Sequence, residues 1–370
     1  MKILIVGGGI AGLAMARALE LQGLSADLIE RRADVPQEGT GLYLPGNAAR
    51  AVQALGLTDS IAAVAMPITT QRILDNRGKP LSITRTADVW SSCGPCLALP
   101  RAALHTALRE SLRSTDLRFG TSIAGIEQRG TKSLATFSDD ASGEYDLVIG
   151  ADGIHSQVRQ NLFPDVRPSY TGNVCWRFIT RDIVGVDGWT VMLGDGVSLL
   201  AIPIGGDQVY VYADMAVSEL EAQRNLTELP QRALLDAFSA PLSPLITPMP
   251  APGQIHASRI EQVVMEEWVK GHGVLIGDAA HASSPSMAEG AAMAMEDALV
   301  LAETLATASN ISEALVEYTR RRKPRVDWVQ KQCAARDKMR GLPGWARIPL
   351  LKLAGNKLYK RSYTPLTEPI

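Results

Sequence analysis

The amino-acid sequence predicts an α/β fold in which a Rossmann-like domain is interrupted by a mostly β domain and followed by a helical C-terminal segment. Three observations predict this order. The chain opens on an apolar run, a glycine turn and a helical pattern; strand-like runs with glycine turns fill 173–213; and the pattern from 288 to about 338 is mostly helical. Because the α/β pattern and the strand-rich pattern alternate along the chain, we expect the first domain to be discontinuous.

The first thirty residues predict one complete βαβ unit. An apolar β run covers 2–6, a glycine turn covers 7–12, helical spacing over 13–22 stops at Gly23, and a second β run covers 25–30. A unit of this length is the usual building block of a parallel sheet.

Four further elements belong to the same domain by their patterns. Helices are predicted over 45–57 and 100–112, and buried strands over 145–150 and 273–276. They alternate with the interrupting β segments, as a discontinuous domain requires.

The inserted part contains one informative strand and one loop. The run QVYVYADM at 208–215 predicts a strand with Tyr210 and Tyr212 on one face, because side chains alternate along a strand. The proline-rich stretch 239–253 predicts a loop.

Composition limits the class of protein. The 370 residues suffice for two domains, and a net charge of −2 argues against a nucleic-acid-binding face. No apolar run reaches the ~18 residues of a membrane span, and the glycine-broken N-terminus shows no signal-peptide cleavage site. Four cysteines are too few for a disulfide framework, so a reducing cytoplasm is the expected location.

The cysteines Cys93 and Cys96 have the spacing of a redox dithiol. Such a pair usually lies where a strand leads into a helix N-terminus, which lowers the thiol pKa. Here Leu97-Ala98-Leu99-Pro100 follows instead of a helix. We therefore favour two small residues beside a turn over a redox pair.

A phosphate-binding motif lies in the first turn. Gly7 permits the tight turn, Gly9 lets the backbone approach a pyrophosphate, and Gly12 lets the helix pack on the strand. Glu30 ends the next strand, where a carboxylate accepts hydrogen bonds from ribose hydroxyls. Together they predict a dinucleotide site without choosing between FAD and NAD.

The stretch GDAAHASSP at 277–285 raises three possibilities for Asp278 and His281: an acid–histidine catalytic pair, a metal site or a cofactor contact. No HxxxH or HxH spacing supports a metal site. No GxSxG elbow supports a hydrolase. We therefore predict no metal, and expect His281 to be a helix-entry residue rather than a proton carrier.

Several motifs in order resemble those of the single-component flavoprotein monooxygenases, the p-hydroxybenzoate hydroxylase-like family. The resemblance covers most of the chain and is closest to the branch of urate hydroxylase and alkylquinolone hydroxylase, which shares the CWR stretch at 175–177. The other motifs are LIERR (28–32), GTGLYLPGNAARAVQALGL (39–57), LPRAALHTAL (99–108), GADGIHSQVR (150–159), GDAAHASSP (277–285) and EGAAMAMEDALVLA (289–302).

The resemblance implies a domain organisation. The Rossmann-like FAD-binding domain would comprise three separate segments, the mostly β substrate domain two, and a C-terminal helical tail would complete the chain. The ranges are 1–68, 100–172 and 266–332 for the first domain, 69–99 and 173–265 for the second, and 333–370 for the tail.

The resemblance also implies a reaction. The protein would bind FAD, take electrons from NADH or NADPH, and use O₂ to hydroxylate an aromatic or N-heteroaromatic small molecule through a flavin hydroperoxide. No side chain need act as a nucleophile, so no catalytic residue is assigned. The alternatives are a flavin oxidase or epoxidase acting on a non-aromatic substrate, and a non-catalytic flavin redox sensor that switches through the cysteine pair.

The resemblance assigns cofactor contacts residue by residue. Asp278 would bind the ribityl chain of FAD, Glu30 and Arg31 the adenosine ribose region, and Arg101 the phosphates or the ribityl chain. Arg159 would brace the motif that contains Asp152, which the family links to FAD and to the nicotinamide. The full predicted set is Gly7, Gly9, Gly12, Glu30, Arg31, Tyr43, Arg101, Ile123, Asp152, Asp278, Gly290 and Ala291.

The sequence departs from the family next to the predicted flavin edge. Gly290 and Ala291 open a helix whose N–H groups would stabilise negative charge on the reduced flavin. Many members have Gly-Gln before this glycine, where the present chain has Ala288-Glu289. Glu289 could face the flavin, but as a first-turn acid it is expected to face solvent, which suits the helix dipole.

Candidate substrate-pocket residues come from the β domain and the flavin loop. They are Arg177, Tyr210, Tyr212 and Pro285. Arg177 could bind an anionic or carbonyl group of the substrate or, equally, a structural carboxylate. Core packing is the commoner outcome for the tyrosine face.

The C-terminal tail is basic. Residues 336–361 carry eight Lys or Arg and one acid, Asp337, with leucines between the charges. It could touch an anionic membrane, although a terminal helix packed on the body with its cations in water is the favoured interpretation. The sequence leaves open a monomer or a dimer.

Overall fold

A computed structural model describes residues 1–34, 40–223, 230–248 and 253–370. Its strands are β1 (Ile3–Val6), β2 (Ala26–Glu30), β3 (Gly41–Leu44), β4 (Met66–Pro67), β5 (Thr70–Asp75), β6 (Pro80–Arg85), β7 (Leu97–Pro100), β8 (Asp116–Phe119), β9 (Ile123–Arg129), β10 (Lys132–Phe137), β11 (Ser142–Tyr145), β12 (Leu147–Gly150), β13 (Ser169–Arg181), β14 (Trp189–Leu193), β15 (Val197–Gly205), β16 (Gln208–Ala216), β17 (His256–Gln262), β18 (Val269–Lys270) and β19 (Gly273–Leu275).

Helices make up much of the remainder. They are α1 (Ile10–Leu21), α2 (Gly46–Ala54), α3 (Thr58–Ala62), α4 (Ala87–Trp90), α5 (Arg101–Ser111), α6 (Gln157–Leu162), α7 (Glu219–Ala222), α8 (Gln231–Ala237), α9 (Asp278–His281), α10 (Gly290–Thr307), α11 (Ile311–Arg340) and α12 (Gly344–Tyr363). Short 3₁₀ helices cover Ser243–Ile246, Pro285–Met287 and Thr364–Leu366.

A six-stranded sheet forms the first layer, in the order β18-β19-β12-β1-β2-β8. Strands β19, β12, β1, β2 and β8 are parallel, and β18 adds an antiparallel edge. Residues of β1 and β12 are buried throughout, as is usual for a parallel sheet that is covered on both faces. The predicted βαβ unit and α/β class are confirmed, although α1 begins at Ile10, inside the turn predicted over 7–12.

A seven-stranded sheet forms the inserted part, in the order β17-β13-β16-β15-β14-β5-β6. One face packs on the first layer: Cys175, Tyr210 and Tyr212 belong to its core. The opposite face carries its own core, which includes Trp176, Phe178 and helix α8 residues. The alternation of strand side chains therefore divides this sheet between two cores.

Two small sheets complete the fold: β3-β7-β4 connects the two layers, and β11-β10-β9 packs on the first layer at β12. The domain boundaries proposed from the sequence stay predictions. The proposed domains include residues 35–39, 224–229 and 249–252, which lie outside the described residues. The same holds for the last part of the predicted 239–253 loop, whose described part contains the 3₁₀ helix Ser243–Ile246.

The C-terminal segment is helical, as predicted. The thirty-residue helix α11 packs on α10 and ends at Arg340, and α12 follows after a short turn. No helix among the described residues is long and apolar enough to cross a membrane.

Candidate active site

The glycine turn between β1 and α1 has the predicted geometry. Gly7 has φ 112°, and a Cβ there would lie 2.5 Å from the carbonyl oxygen of Ala151. A Cβ on Gly12 would strike the carbonyl oxygen of Gly7. Gly9, the residue before α1, has open space where its Cβ would be. The turn therefore leaves room for a ligand at the helix N-terminus, where free N–H groups favour a phosphate.

Glu30 lies directly over this turn. Its Oε2 accepts a hydrogen bond from the Gly8 amide at 2.7 Å, and its Oε1 accepts one from the Arg32 amide at 2.9 Å. These bonds hold the carboxylate beside the phosphate loop, where its remaining lone pairs can accept from ribose hydroxyls. Arg31 is exposed after β2.

Asp278 opens α9 and faces outward. Its side chain is exposed, and no hydrogen bond or ion pair to it is found among the described residues. A Cβ on Gly290 would lie 4.0 Å from Oδ1 of Asp278, so Asp278 borders the N-terminus of α10. Burial lowers the pKa of the nearby Arg101, and attraction to Asp278 opposes this shift. An exposed acid without a partner is suited to accept hydrogen bonds from a hydroxylated ligand.

His281 does not pair with Asp278. Its Nε2 lies 2.6 Å from Oδ2 of Asp297, and both side chains are buried. The expectation that His281 is a helix-entry residue is wrong: it is the last residue of α9, and its ring turns into the interior to pair with Asp297.

Three arginines lie near His256. Burial lowers the pKa of His256, and Arg177, Arg101 and Arg32 lower it further because all three are close and positive. Arg177 and Arg32 also repel Arg101, whereas Asp278 attracts it. This positive region suits an anionic ligand such as a pyrophosphate.

The N-terminus of α10 is open. Glu289 precedes this eighteen-residue helix without capping it by its side chain, so the N–H groups of Gly290 and Ala291 have no intrahelical acceptor. They lie next to Asp278, as the predicted flavin contacts require. Pro285 begins the 3₁₀ helix of this loop and is exposed.

The prediction that Glu289 faces solvent is wrong. The backbone turns at Ala288, which has φ 54°, and Glu289 is only 2% exposed. Its Oε2 accepts from Nδ2 of Asn47 in α2 at 2.9 Å, whereas its Oε1 has no partner. Burial raises the pKa of Glu289 to about 8, with repulsion from Glu296 adding to the shift. At neutral pH the side chain is therefore mostly an uncharged acid.

Ala288 adopts a left-handed conformation that glycine adopts without strain. This explains why glycine is common there in the family, and for alanine the conformation costs roughly 1 kcal/mol. The turn is what directs Glu289 inward.

A buried ionic network behind the site was not predicted. Asp297 and Glu296 of α10 pair with Arg322 of α11 at 2.8 and 2.7 Å, and Arg325 also pairs with Glu296 at 2.7 Å. The sequence held a usable signal: two adjacent acids inside an apolar helix, followed by RRRKPR at 320–325.

The GADG motif is braced as expected, though not through its acid. The Asp152 carboxylate accepts from Ser156 Oγ and from the Gln157 amide at 2.7 Å, so it caps α6. Arg159 donates to the carbonyl oxygens of Ile154 and, at 2.8 Å, Ala279. It thereby ties this motif to the loop that contains Asp278.

Two predicted cofactor contacts lie with their side chains in the core. The Tyr43 hydroxyl accepts from Gln71 Nε2 at 2.9 Å, and Ile123 is 2% exposed at the start of β9. Their contacts with the cofactor stay predictions.

The face of the seven-stranded sheet that meets the first layer carries Arg177. Tyr210 and Tyr212 share this face, because Tyr212 lies opposite Arg177 in the β13–β16 register. Arg177 Nη2 donates to Ser258 Oγ at 2.5 Å and its Nε has no partner. No carboxylate among the described residues pairs with it, so the structural-carboxylate interpretation has no support.

The two tyrosines differ in their surroundings. Tyr212 donates to Asp214 at 2.8 Å, and Asp214 pairs with Arg340 at 2.6 Å, so Tyr212 belongs to a structural network. Tyr210 packs against the backbone of Gly41, and no hydrogen bond of its hydroxyl is found among the described residues. Tyr210 is therefore the better pocket candidate.

The cysteine pair does not have the features of a redox dithiol. Cys96 is 2% exposed, and burial raises the pKa of its thiol to about 12. Both cysteines are free, and the strand β7 follows them instead of a helix. A reactive dithiol needs a lowered thiol pKa.

The site fits a flavin dinucleotide. The glycine turn is open at Gly9, Glu30 is fixed over it, and the unpartnered Asp278 lies beside a free helix N-terminus. Residues 1–332 match the family model described as FAD binding domain. The chain belongs to this family.

Several relatives of this FAD-binding protein are named as monooxygenases or hydroxylases. It is 32% identical over 100% of its length to 2-heptyl-3-hydroxy-4(1H)-quinolone synthase of Pseudomonas aeruginosa, covering 99% of that protein. It is 31% identical over 86% of its length to aurachin C monooxygenase/isomerase of Stigmatella aurantiaca, covering 84% of it. The predicted resemblance is confirmed, and the chain is an FAD-dependent oxidoreductase of the monooxygenase class.

A solved structure supports the fold. HpxO of Klebsiella pneumoniae, crystallised with FAD and uric acid, superposes with a TM-score of 0.89 at 23% identity, covering 100% of this chain and 97% of that one. Among the described residues no group of three or more His, Cys, Asp or Glu could hold a metal ion.

Replacing Asp278 with Ala should weaken FAD binding roughly ten- to a hundred-fold, because a charge-assisted hydrogen bond worth about 1.5–3 kcal/mol is lost. The dissociation constant is measured by flavin fluorescence on the apoprotein. Asp59→Ala removes another exposed first-turn acid and serves as the control. Unchanged affinity with Asp278→Ala would place this residue outside the cofactor site.

Replacing Glu289 with Gln should make stability less dependent on pH. The folded protein holds a proton on Glu289 up to about pH 8, whereas the unfolded chain loses it near 4.5. The contribution of protonated Glu289 to the free energy of unfolding is therefore lost as the pH rises through that interval. The melting temperature of Glu289→Gln minus that of the parent should grow by on the order of 5 °C between pH 5 and 9.

The control for this comparison is Glu303→Gln, an exposed acid on the same helix. Its melting temperature should follow the parent at every pH. Parallel curves for the parent and Glu289→Gln would mean that Glu289 is ionised in the folded protein.

Proposed function

We propose that this protein uses NADH or NADPH and O₂ to hydroxylate an aromatic or N-heteroaromatic small molecule. One observation carries the proposal: Tyr210, which shares its sheet face with Arg177, packs against Gly41, and Gly41 pairs with Pro100 beside Arg101. The face proposed to bind the substrate therefore packs on the segment that carries Arg101, a proposed cofactor contact.

Bound FAD would supply the redox chemistry, carrying electrons from the nicotinamide to oxygen. The protein supplies position and electrostatics. Gly9 and the α1 N-terminus would hold the pyrophosphate, Glu30 the ribose, and Asp278 the ribityl chain. The N–H groups of Gly290 and Ala291 would stabilise negative charge at the pyrimidine edge.

Glu289 suits this arrangement in its uncharged form. A protonated glutamic acid has nearly the shape of the glutamine found in many family members, and adds no negative charge beside the flavin. Its inward position is held by Asn47.

The substrate ring would lie against the face that carries Arg177 and Tyr210. The guanidinium can bind a carboxylate or ring carbonyl, which sets the distance of the ring from the flavin. The apolar surroundings, including Ile202 and Ile204 of the same core, would exclude water.

The relatives support a ring substrate with oxygen substituents. A urate hydroxylase of Klebsiella pneumoniae is 27% identical over 88% of this chain. A 3-amino-4-hydroxybenzoate 2-monooxygenase of Streptomyces platensis is 30% identical over 94% of it. Each of these named compounds combines a ring with groups that an arginine can bind. We also propose a cytoplasmic location, where NADH and NADPH are available.

The reaction is tested by mass spectrometry after incubation with NAD(P)H and ¹⁸O₂. The compounds offered are uric acid, 3-amino-4-hydroxybenzoate and heptyl-substituted 4(1H)-quinolones. We expect one ¹⁸O atom in the product and substrate-stimulated NAD(P)H oxidation. Oxidised product without ¹⁸O would indicate an oxidase instead, and NAD(P)H oxidation that no ring compound stimulates would contradict the proposal.

Replacing Arg177 with Met should uncouple the enzyme. FAD should stay bound and NAD(P)H should still be consumed, but more oxygen should leave as hydrogen peroxide because the ring is misplaced. Hydrogen peroxide, product and NAD(P)H are quantified in one preparation. Arg181→Met, at the exposed end of the same strand, should remain coupled.

The same preparation gives the melting temperature. A purely structural Arg177 predicts a lower melting temperature with coupling unchanged. That outcome would remove Arg177 from the substrate site.

A further inference from the structure

Helix α12 packs against strand β6 at one end of the seven-stranded sheet, on the same face that meets the first layer. Its inner face is buried through Leu351, Gly355 and Tyr359. Asn356 accepts hydrogen bonds from Ser82 Oγ at 3.1 Å and from Thr84 Oγ1. The helix is therefore anchored on strand β6, and its opposite face is available to a partner.

The outer face has a regular stripe. Trp345, Pro349, Leu353, Lys357 and Lys360 recur at intervals of four, four, four and three residues, and all are exposed. This spacing places them along one side of a helix. Trp345 is 82% exposed and Leu353 is 88% exposed, so the first half of the stripe presents large apolar side chains to water.

The charged residues of the segment itself have one sign. Residues 338–367 contain seven Lys or Arg and no acid. Arg340 and Arg347 are occupied by Asp214 and Asp195 of the body. Lys360 lies 3.4 Å from Asp88, an exposed pair.

The remaining cations are unpaired. Lys338, Lys352, Lys357 and Arg361 are exposed, and none of them forms an ion pair with any residue in the described part of the chain. A positive, partly apolar surface is thus left without an internal partner.

We propose that this outer face of α12 docks on an anionic lipid bilayer, with the helix lying in the plane of the interface. Tryptophan and leucine side chains enter the boundary between headgroups and acyl chains, while lysine and arginine pair with lipid phosphates. A second copy of the chain is the less suitable partner, because a symmetric contact would place these cationic faces against each other. The inference does not depend on the proposed reaction.

The test is co-sedimentation of the holoenzyme with vesicles of phosphatidylcholine alone, or with roughly one third phosphatidylglycerol. Trp345→Ser/Leu353→Ser removes the apolar part and Lys352→Glu/Lys357→Glu reverses the charge. Val316→Ser/Leu220→Ser is the control, since these apolar residues are exposed elsewhere at 70% and 61%. FAD content and melting temperature confirm that each variant is folded.

We expect the parent and the control to bind the anionic vesicles about tenfold or more better than neutral ones, and less at high salt. Both α12 variants should lose about tenfold or more of this binding. Absence of binding by the parent, or binding that both α12 variants retain, would overturn the proposal. Light scattering that shows a dimer lost in Trp345→Ser/Leu353→Ser, without lipid binding, would assign the face to a second copy instead.

Discussion

The arrangement of the cofactor site depends on Asp297, a fully buried carboxylate of α10. It accepts from the Gly277 amide at 2.9 Å, from His281 at 2.6 Å and from Arg322 at 2.8 Å. Burial alone would raise its pKa, but His281 and Arg322 hold the pKa of Asp297 below its usual value. The ionised acid joins the loop before Asp278 to the two long helices.

The same ionic group extends to the other side of the site. Glu296 pairs with Arg322 and Arg325, and Asn47 donates to both Glu296 and Glu289. A continuous series of hydrogen bonds and ion pairs therefore connects Gly277 to Glu289, the residue before Gly290. Removing one partner from a buried pair costs about 3–5 kcal/mol, so such a network holds its segments in one arrangement.

Charge is distributed unevenly around this frame. Arg101, Arg177 and Arg32 lie near one another and near His256, and Asp278, which attracts Arg101, carries no ion pair among the described residues. A ligand with phosphates and hydroxyls satisfies both features. Burial favours the uncharged form of Glu289. Glu289 therefore does not neutralise the arginines or the helix N-terminus, which remain able to attract a negative ligand.

The sequence by itself determined what depends on local backbone geometry. Gly7 and Gly12 required their turn and close packing, and the strand alternation placed Tyr210 and Tyr212 on one face. The tertiary structure decided what depends on distant partners. His281 pairs with an acid sixteen residues away. Glu289 was expected to face solvent, but it is buried against Asn47, which lies 242 positions earlier in the chain. Whether a polar side chain is buried is set by the segments packed around it, and single-chain patterns do not reveal which segments these are.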